Sequence, residues 1–173
     1  MDKKIKYTLL AALGAAAAAV PVKAALFKPE KVEVPPMEDE KVDLDRFRKN
    51  LSDAIKFKTI ADKEAANTDW AVFDAFHDFL KERYPLMHEK LELTFIARGS
   101  LVFRWKGTRS DLDPIALLSH QDVVPISEGT LDDWKHDPFE GVDDGEFIWG
   151  RGALDMKNHL IGVLESVETL LSE

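Results

Sequence analysis

The chain has 173 residues, 45% hydrophobic and 32% charged, with a formal net charge of −9 and an isoelectric point near 5.1. That composition suits a globular domain with a core of its own, and the scattered Lys and Arg argue against a nucleic-acid partner, which needs clustered cations. The absence of cysteine removes disulfides and thiolate metal sites, so any metal must be held by His, Asp and Glu.

Residues 1–27 differ from the rest: Lys3, Lys4 and Lys6 precede an Ala/Leu run from Tyr7 to Val20, and Val22-Lys23-Ala24 fits a small-residue cleavage site. This reads as an export signal. The competing reading is a membrane anchor through residues 5–27, since a span takes about 20 apolar residues. Both place the remainder outside the cytoplasm, periplasmic, extracellular or membrane-anchored. Residues 28–43, with Pro29, Pro35, Pro36 and many charges, read as an extended linker.

The folded part is expected over residues 44–173. Leu44, Phe47, Leu51 and Ile55 recur at helical spacing, and Trp70, Phe73, Phe76 and Leu80 mark a second helix. Asn67 or Thr68 is its expected cap, with Pro85 just past its end. The stretches "LELTFIA" (91–97) and "LVFRWKG" (101–107) have strand composition, with a turn at Arg98, Gly99 and Ser100. The run Pro114–Ser119 lacks alternation, as a strand covered on both faces does. Asp144-Gly145 predicts a hairpin turn before a short strand at Phe147–Trp149. Leu160, Leu164, Val167 and Leu171 then predict a last amphipathic helix that covers a sheet. Helices alternating with strands give an α/β class: a partial sheet with flanking helices.

The chemistry gathers at "SHQDVVP" (119–125). His120 and Asp122 are two apart, so extended backbone puts both on one face. A metal-binding imidazole usually donates its other N–H to a carboxylate or carbonyl, and sites in open α/β sheets lie beyond the carboxyl ends of strands. The structural alternative is a satisfied histidine at a strand end, with Asp122 capping a turn before Pro125. Asp155 follows a loop punctuated by Gly150 and Gly152. It reads either as a helix N-cap or as a carboxylate ligand projected into the same cleft. The glycines serve turns or a close approach of the loop. His77, His88, His136 and His159 are read as surface or packing residues. Arg151 is open to pairing with an acid of its loop, and Lys157 carries no assignment.

Taken in order, "LLSHQDVVP", "WKHDPFEG" and "DGEFIWGRGALDMKN" resemble the aminoacylase/carboxypeptidase S family of zinc metallopeptidases. "AIKFKTIA" and "FHDFLKERYPLMHEKL" are similar to its carboxypeptidase S and N-fatty-acyl-amino-acid hydrolase branch, and the likeness spans residues 44–173. The resemblance implies a site for two Zn2+ ions in which His120 ligates one metal, Asp122 orients His120 and Asp155 bridges both. It implies hydrolysis of an amide bond next to a free carboxylate, in a small peptide or N-acyl amino acid. The family's general-base Glu, its remaining ligands and its lid domain have no counterpart before Glu173, and no Glu-Glu pair occurs. The expectation is therefore the N-terminal part of a zinc-exopeptidase catalytic domain, inactive by itself. An exported or membrane-held α/β binding module without catalysis is the alternative.

Overall fold

The computed structural model describes residues 3–29 and 42–173, which fall into two units divided after Lys41. In the first, helix α1 spans Lys3–Leu26 with Pro21 inside it. No helix among the described residues is long and apolar enough to cross a membrane. Most of the expected linker, residues 30–41, lies outside the described residues.

In the second unit α2 spans Leu44–Ile55 and opens at Asp43, whose carboxylate accepts from Arg46 N at 2.9 Å. It buries Leu51, Ala54 and Ile55, whereas Leu44 faces solvent at the first turn. Helix α3 spans Trp70–Arg83 and is capped by Asp69, which accepts from Ala71 N. The expected caps are displaced because Thr68 is turned inward, accepting instead from Asp62 N at 3.1 Å. Pro85 begins a further helix, α4, Pro85–Lys90. A proline suits a first helical position, where its missing N–H leaves no bond unmade.

Strands β1 (Glu92–Ile96) and β2 (Ser100–Arg104) form an antiparallel hairpin with Leu93 opposite Phe103. Trp105, expected within the second strand, lies beyond it. A second hairpin joins β3 (Val142–Asp143) and β4 (Ile148–Trp149). Its turn is organised by Asp144, which accepts from Phe147 N at 2.8 Å, Glu146 N at 3.0 Å and Trp149 Nε1 at 2.6 Å.

The expected buried strand at Pro114–Ser119 does not form. Ile115, Leu117 and Leu118 are 88%, 61% and 78% exposed. A strand covered on both faces requires strands beside it and helices above and below it. Here the only nearby ladder contact among the described residues is one parallel bridge, Ile60 to Val123. Apolar composition alone did not supply those neighbours.

Helix α5, Asn158–Ser172, also departs from expectation: it packs on α2 and α4 rather than on a sheet. It buries Ile161, Leu164 and Leu171 against Leu51, Ile55, Phe76, Leu80 and Met87. It also buries two glutamates. Glu168 accepts from Leu86 N and Met87 N, each at 2.9 Å, and so satisfies the first turn of α4. Glu165 accepts from Asn50 Nδ2 at 2.6 Å and Tyr84 OH at 3.0 Å and pairs with Arg46. Burial first, and the Glu165 charge second, push the Tyr84 phenol above its ordinary range, so it remains a neutral donor. The outcome is a mixed α/β fold with small partial sheets and flanking helices.

Replacing Glu165 with Ala strands the Asn50 amide and the Tyr84 hydroxyl, at an expected cost of about 2–3 kcal/mol in urea unfolding; Tyr84→Phe, which removes one donor, costs about 1 kcal/mol. The bonds from Phe147 N, Trp149 Nε1 and Glu146 N hold the Asp144 carboxyl at about 2. An unfolded Asp titrates near 3.9, so the contribution of Asp144 is complete above that value and disappears as pH falls through about 2. Carboxyl NMR should give that midpoint, and Trp149→Phe should move it upward.

Candidate metal centre

The segment carrying His120 is fixed from behind by Thr59. This residue is fully buried, donates through Oγ1 to Gln121 O at 2.6 Å and accepts at its carbonyl from Val123 N at 2.9 Å. The Gln121 side chain adds a second attachment, donating to Gly99 O and lying 2.9 Å from His77 Nε2. With Val123 buried and Gln121 bonded toward α3 and the hairpin turn, the alternating residues His120 and Asp122 keep side chains about half exposed.

The opposite side of the centre is the loop 150–157. Gly152 takes φ +81, and a Cβ there would come within 2.5 Å of Val123 Cγ1; at Gly150, φ +151, it would collide with Ile55. Glycine therefore lets this loop lie directly on the His120 segment and on α2. The loop is then clamped by Lys157. Its ammonium is fully buried, donates to Ala54 O at 2.8 Å and Phe57 O at 2.7 Å, and stands 4.9 Å from the Phe76 ring. Burial pulls it down to about 7.

Between the clamp and the glycines, an irregular turn at Ala153–Lys157 projects Asp155, whose side chain is 89% exposed. The Asp155–Met156 peptide is cis. Asp155 does not cap α5, which begins at Asn158. It meets His120 instead, with Oδ1 3.0 Å from Nε2. The other ring nitrogen, Nδ1, lies 3.0 Å from Asp122 O and 3.3 Å from Asp122 Oδ1. Partial burial pulls the His120 pKa down, but the bonds and charges of Asp155 and Asp122 outweigh it and the net shift is upward. His120, Asp122, Arg151, Gly152 and Asp155 line one cleft of about 190 Å3.

This donor set fits part of a zinc site. An imidazole nitrogen and a carboxylate converge, with an acceptor behind the imidazole as metal-bound histidines usually have. Zinc takes three or four protein ligands, and among the described residues no group of three or more His, Cys, Asp or Glu is placed to hold one metal ion.

The remaining expected residues lie elsewhere. His77 bonds Gln121, His88 Nδ1 lies 2.9 Å from Tyr84 O, His136 packs against Trp149, and His159 Nδ1 lies 2.8 Å from Ser119 Oγ. Arg151 forms no ion pair among the described residues; its guanidinium stacks 5.0 Å from the Trp134 ring. The acids that line its cleft are turned to another partner, Asp155 and Asp122 both to His120. Thr59 and Gln121 were not identified from sequence, having no motif of their own. Lys157 did carry a signal, standing four and seven residues before the buried Ile161 and Leu164 on the core face of α5.

The pattern of peptidase family M20/M25/M40 matches residues 116–173, which include both sides of this cleft. A probable carboxypeptidase S-like protein 2 of Dictyostelium discoideum is 46% identical over 125 residues, 71% of this chain and 24% of that protein. Carboxypeptidase S of Saccharomyces cerevisiae is 39% identical over 128 residues, 70% of this chain and 22% of its own. The N-fatty-acyl-amino acid synthase/hydrolase PM20D1 of Mus musculus is 33% identical over 137 residues, 78% of this chain and 26% of its own. The chain thus spans about a quarter of the length of the curated relatives it matches. The chain belongs to peptidase family M20/M25/M40, among its carboxypeptidase S-like members.

Proposed function

We propose that this chain supplies one side of a two-zinc centre that hydrolyses an amide bond next to a free carboxylate. The observation that carries the reading is the approach of His120 Nε2 to Asp155 Oδ1 at 3.0 Å, with Asp122 against the other imidazole nitrogen. In this arrangement His120 and Asp155 would hold the metal, Asp155 as the carboxylate available to both ions, and Asp122 would fix the tautomer of His120. Zinc, when bound, supplies Lewis acidity toward a substrate carbonyl and acidifies water toward neutrality. These residues are part of the donor set such a centre needs, and the chain spans about a quarter of the relatives' length. The substrate class is a small peptide or an N-acyl amino acid, as the names carboxypeptidase S and N-fatty-acyl-amino acid synthase/hydrolase suggest. The basic start and Ala/Leu-rich helix α1 support export of the domain.

Calorimetric titration of zinc into the chain tests the reading. Weak saturable binding is expected, lost in His120→Ala and in Asp155→Ala and weakened about tenfold or more in Asp122→Asn. No hydrolysis of dipeptides or N-acyl amino acids is expected from this chain alone. Zinc binding indifferent to all three substitutions would overturn the assignment.

A further inference from the structure

Ser119, Gln121 and Val123, two apart in sequence, tie the segment that carries His120 to three different parts of its unit. Val123 N donates to Thr59 O, the Gln121 side chain reaches Gly99 O and His77, and Ser119 Oγ lies 2.8 Å from Nδ1 of His159. Their spacing sets them opposite His120 and Asp122, which line the cleft. Two of these ties follow His120 in sequence. The third precedes it. Among the described residues no hydrogen bond or ion pair holds residues 113–118, so Ser119 is where the incoming chain is first attached.

The other end of that tie is firm. His159 is the second residue of α5, two past the buried ammonium of Lys157 and two before the fully buried Ile161. The stretch that leads to His159 also carries Asp155. Two contacts therefore join the same two stretches of chain, Ser119 to His159 and His120 to Asp155. They differ in one respect. The bond between His120 Nε2 and Asp155 Oδ1 has to give way when either atom takes up a metal ion, whereas the Ser119–His159 contact uses neither atom. A hydroxyl both donates and accepts, so the contact is available to either tautomer of His159. Both groups are open to solvent enough to be hydrated, and a hydrogen bond of that kind adds little to global stability. Its effect is local.

We propose that His159 is a positioning residue of the centre: through Ser119 it holds the His120 segment in register with the turn that carries Asp155. The role rests on the metal-centre reading above; the tie itself requires no metal.

NMR relaxation of the backbone amides tests the tie in the metal-free chain. Ser119 and His120 are expected to be as ordered as Gln121 and Val123, with motion rising at Leu117 and before it. His159→Ala and Ser119→Ala should each release Ser119 and His120, and His159→Asn, whose Oδ1 can stand in for Nδ1, should restore their order. Calorimetric titration of zinc tests the consequence. Either alanine substitution is expected to weaken binding about tenfold, the double substitution no further, and His159→Asn should recover most of the loss. Three results overturn the inference: a Ser119 as mobile as Leu117 in the unsubstituted chain, order unchanged by both alanine substitutions, or losses of zinc affinity that add in the double variant. The first decides the matter even where a variant does not fold. The two readings also separate. Release of Ser119 and His120 in variants of a chain that binds no zinc sinks the metal centre and sustains the tie; zinc bound through His120 and Asp155 with an affinity indifferent to Ser119 and His159 does the opposite.

Discussion

The buried ammonium of Lys157 is the contact on which the candidate centre depends. It donates to the carbonyls of Ala54 and Phe57, at and just past the last turn of α2, where a cation is favoured by the helix dipole. The same contact anchors the loop that carries Arg151 and Asp155. Desolvation opposes it, as the descent of its pKa to about 7 shows. The two carbonyls and the face of Phe76 are the compensation.

The rest of the core is arranged by acids rather than by a large sheet. Glu165 and Glu168 project from α5 into the interior, one gathering Asn50, Tyr84 and Arg46, the other closing the start of α4. Each replaces backbone or side-chain bonds that water would otherwise make, so three helices lock together with directional contacts as well as apolar ones. That geometry carries α2 and α3 past the back of the His120 segment, where Thr59 and His77 take hold of it.

Much of this was legible in the residues. The apolar spacing of Phe47, Leu51 and Ile55, of Phe73, Phe76 and Leu80, and of Leu164 and Leu171 located three helices. The pairing of Leu93 with Phe103 follows the strand composition around Gly99. His120, Asp122 and Asp155 stood out because polar residues beside an apolar run or a glycine loop need a reason. Less legible were effects set by neighbours distant in sequence. Asp69 rather than Thr68 caps α3 because Thr68 has a partner at Asp62, and the run at Pro114–Ser119 is strand-like only in composition. Glu165 and Glu168 look like ordinary surface acids until Tyr84 and the start of α4 are placed against them. Periodicity reports a residue's own face; it is silent about what waits opposite.

His120 stands where two kinds of chain meet. Immediately after it, Gln121 and Val123 are bonded to Thr59, while immediately before it Ile115, Leu117 and Leu118 lie open to solvent. The His120 segment is therefore held chiefly from the Gln121–Val123 flank, with Ser119 Oγ, 2.8 Å from His159 Nδ1, as a side-chain tie on the other. Fixing a residue's backbone costs about 1–2 kcal/mol, so the Thr59 contacts behind Gln121 and Val123, together with the Ser119–His159 contact, contribute to any affinity for an ion by holding the histidine in place beforehand. Affinity at this centre is consequently a property of how well its approach is tethered, as much as of the donor atoms themselves.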